Sequence, residues 1–269
     1  MIETATVRKS IFITGAASGI GRATARFFAR RGWLVGLFDA DEAGLGAVTA
    51  EVGTECSCAA RLDVTDYASY ERTVAAFAER SGGRMDVLFN CAGILRQSPF
   101  EALGRDDERA ILHVNVLGVT NGIHAALPLL RATPGAHIVT MSSSAAIYGV
   151  PGEAMYSASK FAVRALTEAL SIEFEPYGIV VCDVMPPIVH TPMVQNQAYA
   201  AAVYENMKNR ALTPEHVAAV VWKAAHGRRL HWMLSRDVKV FAVASRLAPA
   251  VGRPLMKRMA SHPVHDPKH

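Results

Sequence analysis

Ser10-Ile11-Phe12-Ile13-Thr14-Gly15-Ala16-Ala17-Ser18-Gly19-Ile20-Gly21-Arg22 joins an apolar run to a glycine-spaced turn and then to a helical pattern that continues to Arg31. Glycines let the backbone turn tightly and approach a pyrophosphate, and the helix that follows offers unpaired N–H groups and the positive end of its dipole. The spacing is Gly15-x3-Gly19-x-Gly21, so G-x-G-x-x-G is not matched, and no Gly-Lys-Ser/Thr closes the loop as in a P-loop. A tight turn with close helix packing is the structural alternative for such a stretch.

Outward from this unit the chain alternates short apolar runs with longer amphipathic ones. Strands are expected at Ser10 to Thr14, Leu34 to Phe38, Ala59 to Leu62, Val87 to Phe89, Ala136 to Met141, Ile179 to Met185 and His231 to Leu234. Helices are expected at Glu42 to Val52, Tyr67 to Arg80, Asp106 to Leu130 and Glu153 to Glu175, with another opened by Thr213-Pro214-Glu215. Parallel neighbours need crossover connections, and right-handed crossovers fill both faces of a sheet. The expected class is therefore α/β, a doubly wound parallel, Rossmann-like sheet in a single domain spanning 1–269, with a C-terminal helical extension at 237–260.

Asp39 ends the second strand about twenty residues past the glycine turn, where an acid can bond both ribose hydroxyls of an adenosine. A carboxylate there repels a 2′-phosphate, so NAD is expected over NADP. Capping of the next helix is the alternative role, and Asp41 could fill it instead.

The second chemical stretch is Met141-Ser142-Ser143-Ser144 through Tyr156-Ser157-Ala158-Ser159-Lys160. Tyr156 and Lys160 are four apart, so on a helix they share one face. A free tyrosine has a pKa of about 10, and a nearby ammonium favours its phenolate. Lowering that pKa by roughly 3 units takes about 4 kcal/mol, which is about what one charge at ~4 Å supplies at an effective dielectric of about 20. Such pairs also occur by chance on solvated faces. Ser143 raises the case for chemistry, because its hydroxyl falls at the carboxyl end of a strand, where open α/β sheets bind ligands.

Composition sets outer bounds. The chain has 269 residues, 51% of them apolar, and a formal charge of +4, with Lys and Arg spread out until the last fifth. Bulk charge gives no indication of nucleic acid. The polar start, Met1 to Ser10, has no signal core, and no apolar run approaches the length needed to span a bilayer, so a soluble cytoplasmic protein is expected. Cys56, Cys58, Cys91 and Cys182 form neither a disulfide framework nor a paired metal knuckle. The histidines, His113 included, lack ligand spacing, so no metal is expected, and no G-x-S-x-G surrounds the serine run to suggest a hydrolase.

Taken jointly, Thr14-Gly15-x3-Gly19-x-Gly21, Leu62-Asp63-Val64, Asn90-Cys91-Ala92-Gly93, Asn115, Ser143, Tyr156-x3-Lys160 and Pro186 with Val189-x-Thr191 resemble the classical short-chain dehydrogenase/reductase family, in the family's order, over roughly Ser10 to Thr191. The resemblance implies an NAD(P)-dependent enzyme acting on CH–OH groups. In it, Ser143 bonds the substrate oxygen, Tyr156 moves the proton, and Lys160 holds the nicotinamide ribose and lowers the Tyr156 pKa. Asn115 pins a helix kink and a water that links Lys160 to solvent. Gly15, Ser18, Gly19, Ile20 and Gly21 cradle the cofactor, Asp63 and Val64 contact adenine, and Asn90, Ala92 and Gly93 line the adenosine ribose and central sheet. Val189 and Thr191 hold the carboxamide. Two departures stand out: Cys91 replaces a usual Asn, and Pro187 replaces a usual Gly, which alters the backbone beside the nicotinamide.

Substrate choice is expected to lie in 192–212, read as a lid with Met193, Tyr199, Val203, Tyr204 and Met207 on an apolar underside, or else as an ordinary surface helix pair. The expected substrate is a fairly apolar secondary alcohol or ketone. Val238 to Met259 mixes apolar residues with Lys239, Arg246, Arg253, Lys257 and Arg258. Membrane association through it is conceivable but disfavoured against packing, because Pro249 and Pro254 break a continuous face. His262 to His269 is polar and expected to be disordered. A homodimer or homotetramer is implied by the resemblance alone. A non-catalytic dinucleotide-binding sensor, or a lyase or epimerase using transient oxidation, are the competing functions. A pure binder, however, needs none of Asn115, Ser143, Tyr156 and Lys160 for proton transfer.

Overall fold

The apolar runs become seven parallel strands in a computed structural model that describes residues 8–195 and 211–259. They are β1 (Ser10–Thr14), β2 (Leu34–Asp39), β3 (Ser57–Arg61), β4 (Val87–Asn90), β5 (His137–Met141), β6 (Val180–Met185) and β7 (His231–Met233), arranged in the order β3-β2-β1-β4-β5-β6-β7. Strands buried on both faces read as continuous apolar runs, which is why β1, β4 and β5 stand out in the sequence. Along β1, Ile11 and Ile13 face one core while Phe12 faces the other.

Helices fill both faces. On one side lie α1 (Gly19–Ala29), α2 (Glu42–Val52) and α8 (Pro214–Ala224), where Phe28, Trp33 and Trp222 pack edge to face. On the other lie α3 (Tyr67–Ser81), α5 (Gly118–Ala132) and α6 (Ala154–Glu173). α4 (Arg105–Leu112) runs into α5 through a π-helical stretch, His113–Leu117. Contrary to the expectation from apolar run lengths, Arg105–Ala132 is one helical stretch of 28 residues, long and apolar enough to cross a membrane. On its inward side Ile111, Val119, Ile123, Ala126 and Leu130 are buried, the last four in the core beneath the sheet, while Leu112 and Leu117 are exposed.

Several boundaries move by a residue or two. β3 begins at Ser57, not Ala59, because its register is set by pairing Val35 with Ser57 along β2. The C-terminal segment is two helices, interrupted at Ala248 before Pro249, while Pro254 does not end the second. α9 (Arg236–Leu247) is complete before Pro249, and Pro254 lies inside the next helix, α10 (Pro249–Met259). Most of the expected lid lies outside the described residues, as do Tyr199, Val203, Tyr204, Met207 and the tail from His262. Its edges are described: the single turn α7 (Pro192–Gln195), and Leu212, which bridges to Val189.

Candidate active site

β1 and β4 are neighbours whose connections leave in opposite directions, and this switch point is where an open α/β sheet forms its ligand crevice. Thr14 ties the two strand ends together, its Oγ1 accepting from the N–H groups of Cys91 (3.1 Å) and Ala92 (3.2 Å). The bonds run through backbone amides, so the Asn-to-Cys departure at position 91 leaves the turn held.

The glycines of the β1–α1 turn have little room. At Gly15, with φ of 70°, a Cβ would lie 2.9 Å from the Ala92 backbone; at Gly21 it would lie 1.9 Å from the Gly15 carbonyl oxygen. Gly19 abuts the Thr191 methyl, which brings the β6 exit against the start of α1. Ser18 N-caps α1 without a side-chain cap bond and is exposed, and Ile20 packs onto the core behind it. The result is a shaped backbone cradle at a helix N-terminus, which fits a pyrophosphate.

Asp39 borders that cradle. Its carboxylate accepts from the N–H of Ala17 (2.9 Å) and of Asp41 (3.1 Å). The helix cap is supplied by Asp41, which accepts from Gly44 at 3.1 Å. Asp63 accepts from both the N–H and the hydroxyl of Thr65, and these bonds hold its carboxyl below the usual range. Val64 is buried against Gly118. The Asn90 side chain turns into the core, beside Gly122 and Tyr70.

The proton-transfer candidates gather past β5. Ser143 caps the short turn after the strand, accepting from Ala145 N–H at 3.1 Å, and its hydroxyl favours the ionised form of Tyr156. Lys160 Nζ lies 5.5 Å from the Tyr156 ring centroid and donates to the Met141 carbonyl at 2.8 Å. Asn115, in the π-helical stretch, is buried; it accepts from Ile94 N–H at 2.8 Å and donates to Ile94 O and Ser159 Oγ, both at 3.0 Å. Gly93 lies between Asn115 and Lys160: a Cβ there would be 3.2 Å from the amide oxygen and 3.7 Å from the ammonium. Val189 and Thr191 are buried at the far side.

Burial pushes the Tyr156 phenol up, the Glu153 carboxylate pushes it further, and the Ser143 hydroxyl opposes them. The Lys160 ammonium is committed to the Met141 carbonyl, and burial lowers its own pKa to about 8. Glu153 was legible in the sequence only as a helix start. It stands three residues before Tyr156 on the same face and accepts a hydrogen bond from Gln97, 56 residues away in the chain. Nothing local in the sequence marks Gln97 or Ser159 as members of the site.

An obligate-glycine cradle at the switch point of a doubly wound sheet, with Ser143, Tyr156 and Lys160 gathered past β5, defines a Rossmann-like oxidoreductase. The chain belongs to the short chain dehydrogenase family, whose sequence pattern matches residues 9–201. It is 35% identical over 231 residues to oxidoreductase UcpA of Salmonella typhimurium, covering 82% of each chain. It is 35% identical over 191 residues to levodione reductase of Leifsonia aquatica, covering 69% of this chain and 71% of that one. A short chain dehydrogenase/reductase from Burkholderia phymatum, solved in complex with NAD, superposes with a TM-score of 0.82 at 26% identity, covering 91% of this chain and 95% of the other.

Proposed function

We propose that the protein transfers a hydride between NAD(H) and a fairly apolar secondary alcohol or ketone, with Tyr156 as general acid and base. The observation that carries this reading is the gathering of Ser143, Tyr156 and Lys160 past β5, with the glycine cradle at the end of β1. The bound nicotinamide would supply the hydride. Ser143 orients the substrate oxygen, and Tyr156 gives it a proton during reduction. A phenol held protonated suits that donor role at neutral pH. Asn115 fixes the backbone beside Lys160 through Ile94 and Ser159. Following NADH absorbance across a library of alcohols and ketones tests the reading. Turnover confined to small charged compounds would refute the substrate class.

Cofactor choice rests on Asp39. A 2′-phosphate beside its carboxylate meets a repulsion of about 1 to 4 kcal/mol, depending on exposure. NADH is therefore expected to support higher kcat/KM than NADPH by at least about tenfold, and Asp39→Ala should narrow the gap. A wild-type preference for NADPH would remove Asp39 from this role.

Glu153 yields a pH prediction with a definite sign. Its negative charge disfavours the Tyr156 phenolate, which alcohol oxidation requires. Glu153→Gln should therefore shift the rising limb of the oxidation pH–rate profile towards lower pH. A shift to higher pH would contradict the assigned electrostatics.

A further inference from the structure

α9 has two apolar faces. The inner one, Val238, Phe241 and Ala242, packs on Ala146, Ile147, Met185 and Met233. The outer one consists of Val240, Val243 and Leu247, which are 69%, 58% and 81% exposed. At i, i+3 and i+7 these three form a single stripe along the helix.

The segment that carries the stripe is basic. Arg236, Lys239 and Arg246 on α9 and Arg253 and Lys257 on α10 are all exposed, against Asp237 alone, so residues 236–257 carry an excess equal to the +4 of the whole chain. Within this set Arg246 approaches Glu168 at 3.7 Å. We infer that α9 lies on an anionic lipid surface, its Val240-Val243-Leu247 stripe in the acyl boundary and its cations among the headgroups. A second copy meeting this face about a two-fold axis would set cations against cations, whereas an anionic bilayer neutralises them. The two prolines do not oppose this arrangement, because the stripe is complete before Pro249.

The inner face connects the helix to the active site. Phe241 meets Tyr148 at 6.0 Å between ring centroids, and Gly252 of α10 abuts the same tyrosine. Tyr148 belongs to the segment between Ser143 and Tyr156, so α9 stands between that segment and the lipid surface and touches both.

The test is co-sedimentation of the full chain with vesicles of phosphatidylcholine alone and of phosphatidylcholine with one third phosphatidylglycerol. The comparison protein carries Val240→Ser, Val243→Ser and Leu247→Ser, three exposed positions whose change leaves the core intact. Sedimentation equilibrium of both proteins without vesicles accompanies it. Binding to the anionic vesicles that exceeds binding to neutral ones, and that falls about tenfold or more in the serine variant, is expected. No vesicle binding, equal binding to both vesicles, or binding unchanged in the variant would overturn the proposal. So would concentration-dependent self-association that the serine changes abolish without any vesicle binding, since a second copy would then cover the stripe.

Discussion

Tyr156→Phe is expected to lower turnover by about 10² to 10⁴-fold, the range for loss of general acid–base assistance, while NADH affinity stays nearly unchanged. The substitution removes one oxygen and keeps the ring, so packing beside Lys160 and Ser143 is preserved. Hydride donation to a carbonyl leaves negative charge on the substrate oxygen. Without the phenol, only Ser143 and solvent can answer that charge. Steady-state rates at 340 nm, read beside NADH titration by fluorescence, separate the two effects. Near-normal turnover would remove Tyr156 from the mechanism, and a matching loss of NADH affinity would recast it as a binding residue.

Gly21→Ala is expected to be the most damaging small substitution in the turn. The methyl would sit 1.9 Å from the Gly15 carbonyl oxygen and 2.7 Å from its carbon, both backbone atoms that cannot step aside singly. The start of α1 must then move off the turn. Overpacking of this kind costs about 1 to 3 kcal/mol, occasionally more, and displacement of the cradle should weaken NADH binding by about tenfold or more. Gly46→Ala is the matched control. Gly46 lies within α2, where a Cβ meets nothing within 4 Å, so alanine should raise stability by about 0.5 to 1 kcal/mol without touching NADH affinity. Equal behaviour of the two variants in thermal unfolding and NADH titration would show that the turn is not space-limited.

Much of the architecture is legible in the residues because each layer writes its own period. The central strands appear as unbroken apolar runs, and the helices between them as amphipathic ones. β3 is read two residues late because it is an edge strand: Ala59, Ala60 and Arg61 are exposed, and buried Leu62 draws the apolar pattern forward. The π-helical turn at His113–Leu117 leaves no mark on apolar periodicity, since its evident purpose is a tertiary one, bringing Asn115 to Ile94.

The site divides the same way. Spacing within one helix makes Tyr156 and Lys160 neighbours, and the glycine turn is recognisable by its own chemistry. Pairings across the fold, Gln97 with Glu153 or Thr14 with Cys91, depend on which strands adjoin and are invisible locally. The upward shift of the Tyr156 phenol comes first from burial and then from Glu153, three residues before it, and neither burial nor the charge at Glu153 can be read from helical spacing alone.

The central claim is that a hydride moves directly between the nicotinamide and a carbon whose oxygen Tyr156 protonates. Turnover with NADH deuterated at C4, run on the ketones that give activity at 340 nm and read by mass spectrometry, tests it most directly. The account predicts deuterium on the carbinol carbon of the product alcohol, from one face of the ring, and almost none of it in Tyr156→Phe over the same interval. Product formed without deuterium, or no oxidation of NADH by any ketone or reduction of NAD by any alcohol, would contradict it.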